Sequence, residues 1–326
     1  MGVGGGADGM MKKAFVLGAG LGTRLRPLTD QLPKPLIPVH HRPLMVRAFE
    51  HLRSAGVGEF VVNTHHLAGA YEGAFPDQTW EGCPLHFRHE PVLLETGGGL
   101  ANVADLMGSD PFFVYNGDIL TDVELQPAWD AHVSDGNLVT MILRTDAPLR
   151  NVAFDAAARQ VLDLRNASGK NHPDQRGFTG LYIVSPDFFR YLIPGKIESV
   201  VAGLLRALAA GERIGGVTAD GGQWLDLGDR KSYLEAHAAS RGGKFPAWGP
   251  WDAAETAAVH PEADVHPTAV VDVDSSVGPG AVVEAGAEVR GSIVWPGGIV
   301  AAGARLRGCI VRGGCRAEGD LTDADV

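Results

Sequence analysis

The chain has 326 residues, 45% of them hydrophobic, and a mean hydropathy of +0.01, which allows one large buried core and a smaller one. Its formal charge of −11 argues against nucleic acid or an anionic membrane as partner, because both are bound by neutralising phosphates with a basic surface. The three cysteines, Cys83, Cys309 and Cys315, stand at no metal-ligand spacing, give neither a disulfide framework nor a zinc site, and point to a reducing cytoplasm; no apolar run approaches the roughly 18 residues of a membrane span.

Residues 1–11 form a Gly-rich leader without the basic-then-apolar order of a signal peptide, and are expected to be disordered. From there to about Arg241, short apolar runs alternate with segments of helical period. Ala14 to Leu17, Phe60 to Asn63, Leu85 to Arg88, Pro111 to Tyr115, Leu138 to Leu143 and Gly180 to Val184 read as strands; Pro43 to Ala55, Gly97 to Met107, Val123 to His132 and Ser199 to Ala210 read as helices. This rhythm predicts a Rossmann-like, three-layer α/β domain over 12–241, with a largely parallel sheet and a ligand site at the carboxyl ends of the strands where their order reverses. Gly242, Gly243, Pro246, Gly249 and Pro250 punctuate a linker over 242–259. Beyond it, Val271, Val277, Val283 and Val289 recur every six residues, and A-G-A-E-V-R-G-S-I-V from Ala285 returns as A-G-A-R-L-R-G-C-I-V from Ala302. A hexapeptide period predicts a short left-handed β-helix over 260–326, of about three coils, with a structural role or one in forming a homo-oligomer.

The run Leu17-Gly18-Ala19-Gly20-Leu21-Gly22-Thr23-Arg24 leaves the first strand. Its glycines let the backbone approach an anion so that several amides point at phosphate oxygens. A dinucleotide fingerprint would need a glycine where Thr23 stands and an acid at the end of the second strand, where Asn63, Thr64 and His65 stand; a P-loop would need Lys-Ser or Lys-Thr after the last glycine. Neither is present. What remains is a glycine loop coupled to Arg24, Arg26 and Lys34, the local concentration of cations that a triphosphate requires.

Gly22-Thr23-Arg24, Pro27-Leu28-Thr29 and Pro33-Lys34-Pro35-Leu36 follow the order of the opening motif of the sugar-1-phosphate nucleotidylyltransferases, and from Lys13 to about Ser240 the chain resembles that family. The resemblance implies that Leu17, Gly18, Ala19, Gly20, Gly22 and Thr23 bind the nucleotide, that Arg24 holds the β- and γ-phosphates, and that Lys34 sits by the reacting phosphates.

Phe112-Phe113-Val114-Tyr115-Asn116-Gly117-Asp118 is an apolar strand ending in a carboxylate, and Trp224-Leu225-Asp226-Leu227-Gly228 repeats the arrangement. Two carboxylates suit Mg²⁺, a hard ion usually shared with substrate phosphates, although an aspartate after a strand is also a common turn former or helix cap. In the family, Gly-Asp and Asp-x-Gly supply the two metal ligands, so the resemblance assigns Asp118 and Asp226 to Mg²⁺ and Asp118 to catalysis as well. Glu90 and Glu95-Thr96-Gly97-Gly98-Gly99 follow a strand and open a helix, where free amides could meet a base edge; this looks like the family's base-recognition loop, with Glu90 toward the base and Thr96, Gly97 and Asn116 lining the nucleotide. On the sugar side the resemblance points to Gly117, Thr179 and Gly180. Many relatives carry Glu-Lys-Pro where this chain has Leu164-Arg165-Asn166-Ala167, so Arg165 or Lys170 is expected to replace the missing lysine.

A sugar phosphate is already a nucleophile, so no Ser, Cys or His triad is required and none is evident. The expected reaction is in-line attack of a sugar 1-phosphate on the α-phosphorus of a nucleoside triphosphate, with pyrophosphate leaving. GTP with mannose 1-phosphate is the leading pair; UTP with N-acetylmuramate 1-phosphate is the alternative. Rival classes are a nicotinamide oxidoreductase, disfavoured by Thr23 and the absent ribose acid; an acyltransferase, disfavoured by the short coil with His260 and His266 unpartnered at its start; and a non-catalytic sensor of nucleotide sugars.

Overall fold

In a computed structural model, the described residues are 12–240, 245–246 and 251–326. The expected leader and the turn residues Gly242, Gly243, Gly249 and Pro250 of the expected linker lie outside them. Two compact units are built from interleaved stretches, one from the residues up to Leu21 with Ala48–Trp224 and the other from Gly22–Arg47 with Leu225–Val326.

The first unit is an α/β fold around ten strands: β1 (Lys13–Leu17), β2 (Glu59–Thr64), β3 (Thr79–Trp80), β4 (Cys83–His89), β5 (Phe112–Asn116), β6 (Val139–Arg144), β7 (Val152–Asp155), β8 (Gln160–Leu164), β9 (Gln175–Val184) and β10 (Ile214–Thr218), in the sheet order β7-β8-β10-β6-β9-β5-β1-β2-β4-β3. The central strands are continuous apolar runs because both faces are covered: Phe15, Val61, Val114, Met141 and Tyr182 are all buried in one core. β1 lies between β2 and β5 and is parallel to both, so the chain first builds to one side of β1 and then returns to the other. That reversal places the carboxyl ends of β1, β2 and β5 side by side.

The expectation of a largely parallel sheet is corrected. β9 runs antiparallel to both β5 and β6, and β7 and β8 form an antiparallel pair. The sequence between Asp155 and Gln160 is too short for a parallel crossover and permits only a hairpin. The helix expected from Gly97 to Met107 is broken at Val103 into α2 (Glu95–Asn102) and α3 (Ala104–Met107). That expected from Val123 starts instead at Gln126 as α4 (Gln126–Ser134), with Pro127 in its first turn, where a missing N–H costs nothing. Of the others, α1 spans Leu44–Ser54 and α5 spans Val200–Ala209, the latter capped by Ser199, whose side chain accepts from Val201 N–H.

In the second unit, short strands stack into three parallel sheets from Asp264–Val265 onward, three full coils and part of a fourth. Val277, Val283, Val289, Val294, Val300, Leu306 and Val311 fill the interior, as the hexapeptide pattern predicts. The period is not strictly six: Asp264 pairs with Val282, but Val282 pairs with Ile299 and Glu288 with Arg305, so the coil between these pairs is one residue shorter. The shortening falls at the corners of Gly291 and Gly308, both at positive φ. It is stitched by a buried polar stack in which Ser292 N–H donates to Ser275 Oγ at 3.1 Å and Cys309 N–H to Ser292 Oγ at 2.9 Å. Helix α6 (Arg230–Ala239) belongs to the same unit, its N-terminus closed by Asp229 and Ser232 as a reciprocal capping pair,.

His51 of α1 is fully buried in the first unit. Its Nε2 faces Val123 O at 3.0 Å and must donate, so Nδ1 accepts from the Tyr115 hydroxyl at 3.2 Å. Burial keeps the ring neutral and pushes its pKa down from 6.5 to about 4. The unfolded chain, with an ordinary histidine, takes up the proton first, so this contribution is complete above pH 6.5, falls as pH drops toward 4, and levels off below; it amounts to about 3 kcal/mol. Urea unfolding of wild type and His51→Gln at pH 7 and pH 4.5 should show a smaller acid loss in the variant, and equal losses would refute this role.

Candidate active site

At the end of β1 the backbone is packed too tightly for side chains. A Cβ on Gly18 would lie 2.7 Å from Asn63 O, and one on Gly117 would lie 2.5 Å from Leu17 O. Gly18 N–H donates to Asn63 Oδ1 at 2.8 Å, Gly18 O accepts from the Tyr71 hydroxyl at 2.8 Å, and Gly117 N–H donates to Leu17 O at 3.0 Å. Leu17, Gly18, Asn116 and Gly117 are thus brought together where β1 meets β2 and β5, with Asp118 next in the chain. Ala19 is buried, whereas a Cβ on Gly20 would meet nothing within 4 Å. Gly20 has no packing reason to be glycine, and open space there is what close approach of a phosphate needs.

Asn63 is the hub of this region. Its Nδ2 donates to Glu90 Oε1 at 2.7 Å, and the other carboxylate oxygen of Glu90 accepts Leu94 N–H at 3.0 Å. Glu90 is fully buried, and both of its oxygens are engaged within the protein. The glycine run that follows has a packing explanation: a Cβ on Gly97 would lie 2.9 Å from Glu198 O, one on Gly98 would lie 2.3 Å from Lys196 O, and one on Gly99 would lie 2.8 Å from Asn63 Nδ2 and 2.9 Å from Glu90 Oε1. Three helical glycines would each cost about 1 kcal/mol against alanine, and close approach is what they permit. The expectation of free amides at this helix start is corrected: Gly97 and Gly98 N–H donate to Glu198 O at 2.8 and 3.1 Å, and Thr96 Oγ1 accepts Val200 N–H at 2.9 Å. Glu95 holds φ at 60°, a strained value for a residue with a side chain.

On β9, Gly180 has φ 84° and a Cβ there would lie 2.6 Å from Asn116 Nδ2, so Asn116 packs flat on the glycine. Thr179 is held on both sides, its Oγ1 donating to Ile142 O at 2.8 Å and its carbonyl accepting Trp224 Nε1–H at 2.9 Å. Thr179 and Gly180 therefore adjoin Asn116 and Gly117. Arg165 lies on the loop after β8, with φ 55° and its N–H on Asn151 O at 2.7 Å. Buried Asp163 braces that loop by accepting Ser168 N–H at 3.0 Å and the Ser168 hydroxyl at 2.7 Å.

The second unit contains a separate group. Gly22, at φ 60°, would bring a Cβ to 2.8 Å from Thr29 Cγ2 and 3.1 Å from Lys34 Cβ. Its carbonyl accepts the Thr29 hydroxyl at 2.9 Å. Thr23 and Arg24 follow in a short 3-10 turn. The Arg24 guanidinium lies on Gly228, where a Cβ would stand 2.8 Å from Nη2. Buried Lys34 pairs its Nζ with Asp226 Oδ1 at 3.8 Å. Asp229 is held below the usual carboxylate range, first by Ser232 N–H and its hydroxyl and then by the Arg24 charge. Arg24, Lys34 and Asp226, from distant parts of the sequence, are thus assembled in one place.

The sequence profile of the Nucleotidyl transferase family matches residues 13–242. The N-acetylmuramate alpha-1-phosphate uridylyltransferase of Neisseria meningitidis serogroup B is 33% identical over 229 residues, 69% of this chain and 97% of that one. The chain belongs to the sugar-1-phosphate nucleotidyltransferase family. The mannose-1-phosphate guanylyltransferase of Mycobacterium tuberculosis is also similar to this nucleotidyltransferase, 30% identical over 287 residues, 86% of this chain and 79% of that one. A UDP-glucose pyrophosphorylase crystallised with UDP-glucose shares the fold, with a TM-score of 0.60 at 21% identity over 71% of this chain and 98% of that one.

Among the described residues of the nucleotidyltransferase, no group of three or more His, Cys, Asp or Glu is arranged to hold a metal. The Asp226 side chain is 46% exposed, and carboxylates acting singly or in pairs fit Mg²⁺, which keeps waters and takes its remaining oxygens from substrate phosphates. Sequence reasoning missed Tyr71 and saw Asn63 only as the wrong residue for a ribose contact; Trp224 and Gly228 stood in the Asp-x-Gly segment with no role of their own.

Two alanine substitutions separate packing glycines from ligand glycines. Gly99→Ala should lower stability by about 1–3 kcal/mol despite its better helix propensity, because the new methyl must displace Asn63 and Glu90. Gly20→Ala should leave the melting temperature unchanged and raise the KM for nucleotide. Equal melting temperatures for both variants would contradict the assignment.

Proposed function

We propose that the enzyme transfers a nucleotidyl group from a nucleoside triphosphate to a sugar 1-phosphate, releasing pyrophosphate, with GTP and mannose 1-phosphate as the leading pair. The observation that carries this reading is the assembly of Arg24, Lys34 and Asp226 within one unit of a chain whose formal charge is −11. Cations drawn together in an acidic protein suit polyphosphate, and a carboxylate beside them suits a divalent ion shared with it. In this reading Arg24 and the amides of the Gly18 to Gly22 loop hold the leaving pyrophosphate, and Lys34 neutralises charge on the reacting phosphates. Asn116, Gly117, Thr179 and Gly180 orient the sugar and ribose; Glu90, with Thr96 and Gly97, shapes the base side, and Arg165 reaches the sugar phosphate.

Asp118 and Asp226 are the proposed ligands of Mg²⁺, on the Gly-Asp and Asp-x-Gly motifs. When bound, the ion supplies neutralisation of phosphate charge. The residues of the chain itself position two mutually repelling anions and stabilise the charge that develops on the leaving group. No side chain has to remove a proton, because the sugar phosphate is an anion already.

The guanosine and manno-sugar preference is supported by the Mycobacterium tuberculosis relative, whose match extends over 86% of this chain. Uridine with N-acetylmuramate 1-phosphate is the second reading, supported by the 33% identity of the Neisseria protein. A cytoplasmic setting suits both; no helix among the described residues is long and apolar enough to cross a membrane.

Pyrophosphate release with Mg²⁺, measured for GTP, UTP, dTTP, ATP and CTP against a panel of sugar 1-phosphates, should show selective turnover with GTP and mannose 1-phosphate. Selectivity for UTP with N-acetylmuramate 1-phosphate would replace the leading pair with the second. Silence across the panel, with nucleotide sugars still binding, would overturn the catalytic reading in favour of a sensor.

A further inference from the structure

The loop that carries Arg24 and Lys34 has little regular structure of its own. It consists of 3-10 turns at Thr23–Leu25 and Lys34–Leu36, a single helical turn at Leu28–Gln31, and two-residue strands at Pro38–Val39 and Arg42–Pro43. Pieces this short do not hold a conformation alone, yet the positions of a guanidinium and an ammonium against a phosphate must be held to a fraction of an ångström for catalysis. The β-helix lies in the same compact unit as the loop.

Three tethers bracket Lys34. Tyr233 of α6, fully buried, donates its hydroxyl to Pro38 O and accepts Trp295 Nε1–H from the β-helix at 3.0 Å. Arg312 donates from Nη1 to Pro27 O at 3.3 Å while its Nε donates to Val326 O at 3.1 Å, tying the loop to the last residue of the chain. Gln31 Nε2 donates to Gly313 O at 2.7 Å. Backbone carbonyls on both sides of Lys34, those of Pro27 and Pro38, are thereby hydrogen-bonded from α6 and the β-helix. Trp295 and Tyr233 form a relay in which one hydroxyl serves as acceptor and donor, so losing the indole N–H loosens the hold on Pro38.

We infer that the β-helix is a positioning element for the phosphate-binding loop, acting through Trp295 and Arg312, and is more than an appended coil. The inference rests on the role proposed above for Arg24 and Lys34. It is tested on the full chain with Trp295→Phe and with the double variant Gln31→Leu, Arg312→Met, which alters side chains outside the β-helix interior. Each should lower kcat about tenfold or more, change the KM for sugar 1-phosphate less than twofold, and speed amide hydrogen exchange across residues 22–40; Arg312→Lys, which keeps a donor, should restore most of the rate. A merely structural coil would lower the folded fraction without this split. The inference is overturned if kcat and the exchange of that segment stay at wild-type values in both variants while Arg24→Ala and Lys34→Met controls are inactive. Full activity in those controls would overturn the reading of the loop, and this inference with it.

Discussion

An acidic protein that joins two phosphorylated molecules has to gather its few useful cations in one place, and the rest of this structure follows from how that is done. Arg24 can lie on the chain at residue 228 only because that residue is glycine. Lys34 is buried and paired with Asp226. A buried ammonium without a partner would be costly, so the aspartate both offsets that cost and leaves a carboxylate oxygen near where phosphate charge is expected. Sequence neighbours such as Gly22 and Thr29 close the loop around this group. The chain spends Gly228 and the packing of Gly22 on holding charge, and spends little on specificity there.

The first unit solves a different problem, the approach of backbone to a ligand. Gly18 and Gly117 let the ends of β1, β2 and β5 come within hydrogen-bonding distance of one another, and Asn63 converts that closeness into a connection by accepting from Gly18 and donating to Glu90. Through Leu94 N–H the same carboxylate reaches the start of α2, so the glycine loop and the Glu90 to Gly99 segment share one network. In the dry interior such a network is worth more than its separate bonds, and it fails as a unit when one member is left unpaired. Gly20 is the exception among these glycines, with open space where the others have neighbours.

Much of this was legible in the residues. The apolar runs gave β1, β2, β4, β5 and β6 to within two residues, because strands buried on both faces carry an uninterrupted signal, and the valines of the β-helix showed their period directly. Only the second half of β9 was expected, over Gly180 to Val184; its first half, its antiparallel direction and the β7–β8 hairpin escaped notice because Gln175, Arg176 and the polar Gln160 end do not resemble a core strand. The six-residue rule missed the 291 and 308 corners, where buried serines replace a residue of coil length by hydrogen bonds that no periodicity reports. At the site, motif residues such as Arg24, Lys34 and Asp226 could be nominated from their order. The partners that hold them could not, since Gly228, Tyr233 and Trp295 gain their meaning only from contacts far apart in sequence. The Glu-Thr-Gly-Gly-Gly run misled in one respect: its glycines pack against residues 196–199 and against Asn63, and the Gly97 and Gly98 amides are already satisfied there.

The coupling of Asp226 to Lys34 is the point on which the catalytic reading stands, and one measurement addresses it directly: single-turnover pyrophosphate release by Asp226→Asn at saturating nucleotide, sugar 1-phosphate and Mg²⁺, alongside its circular dichroism spectrum. Asparagine keeps the size and hydrogen-bonding capacity of the side chain but loses the charge. Turnover reduced by about a hundredfold or more, the scale of a lost electrostatic contact in an active site, with an unchanged spectrum, is the predicted result. Turnover within twofold of wild type would contradict it.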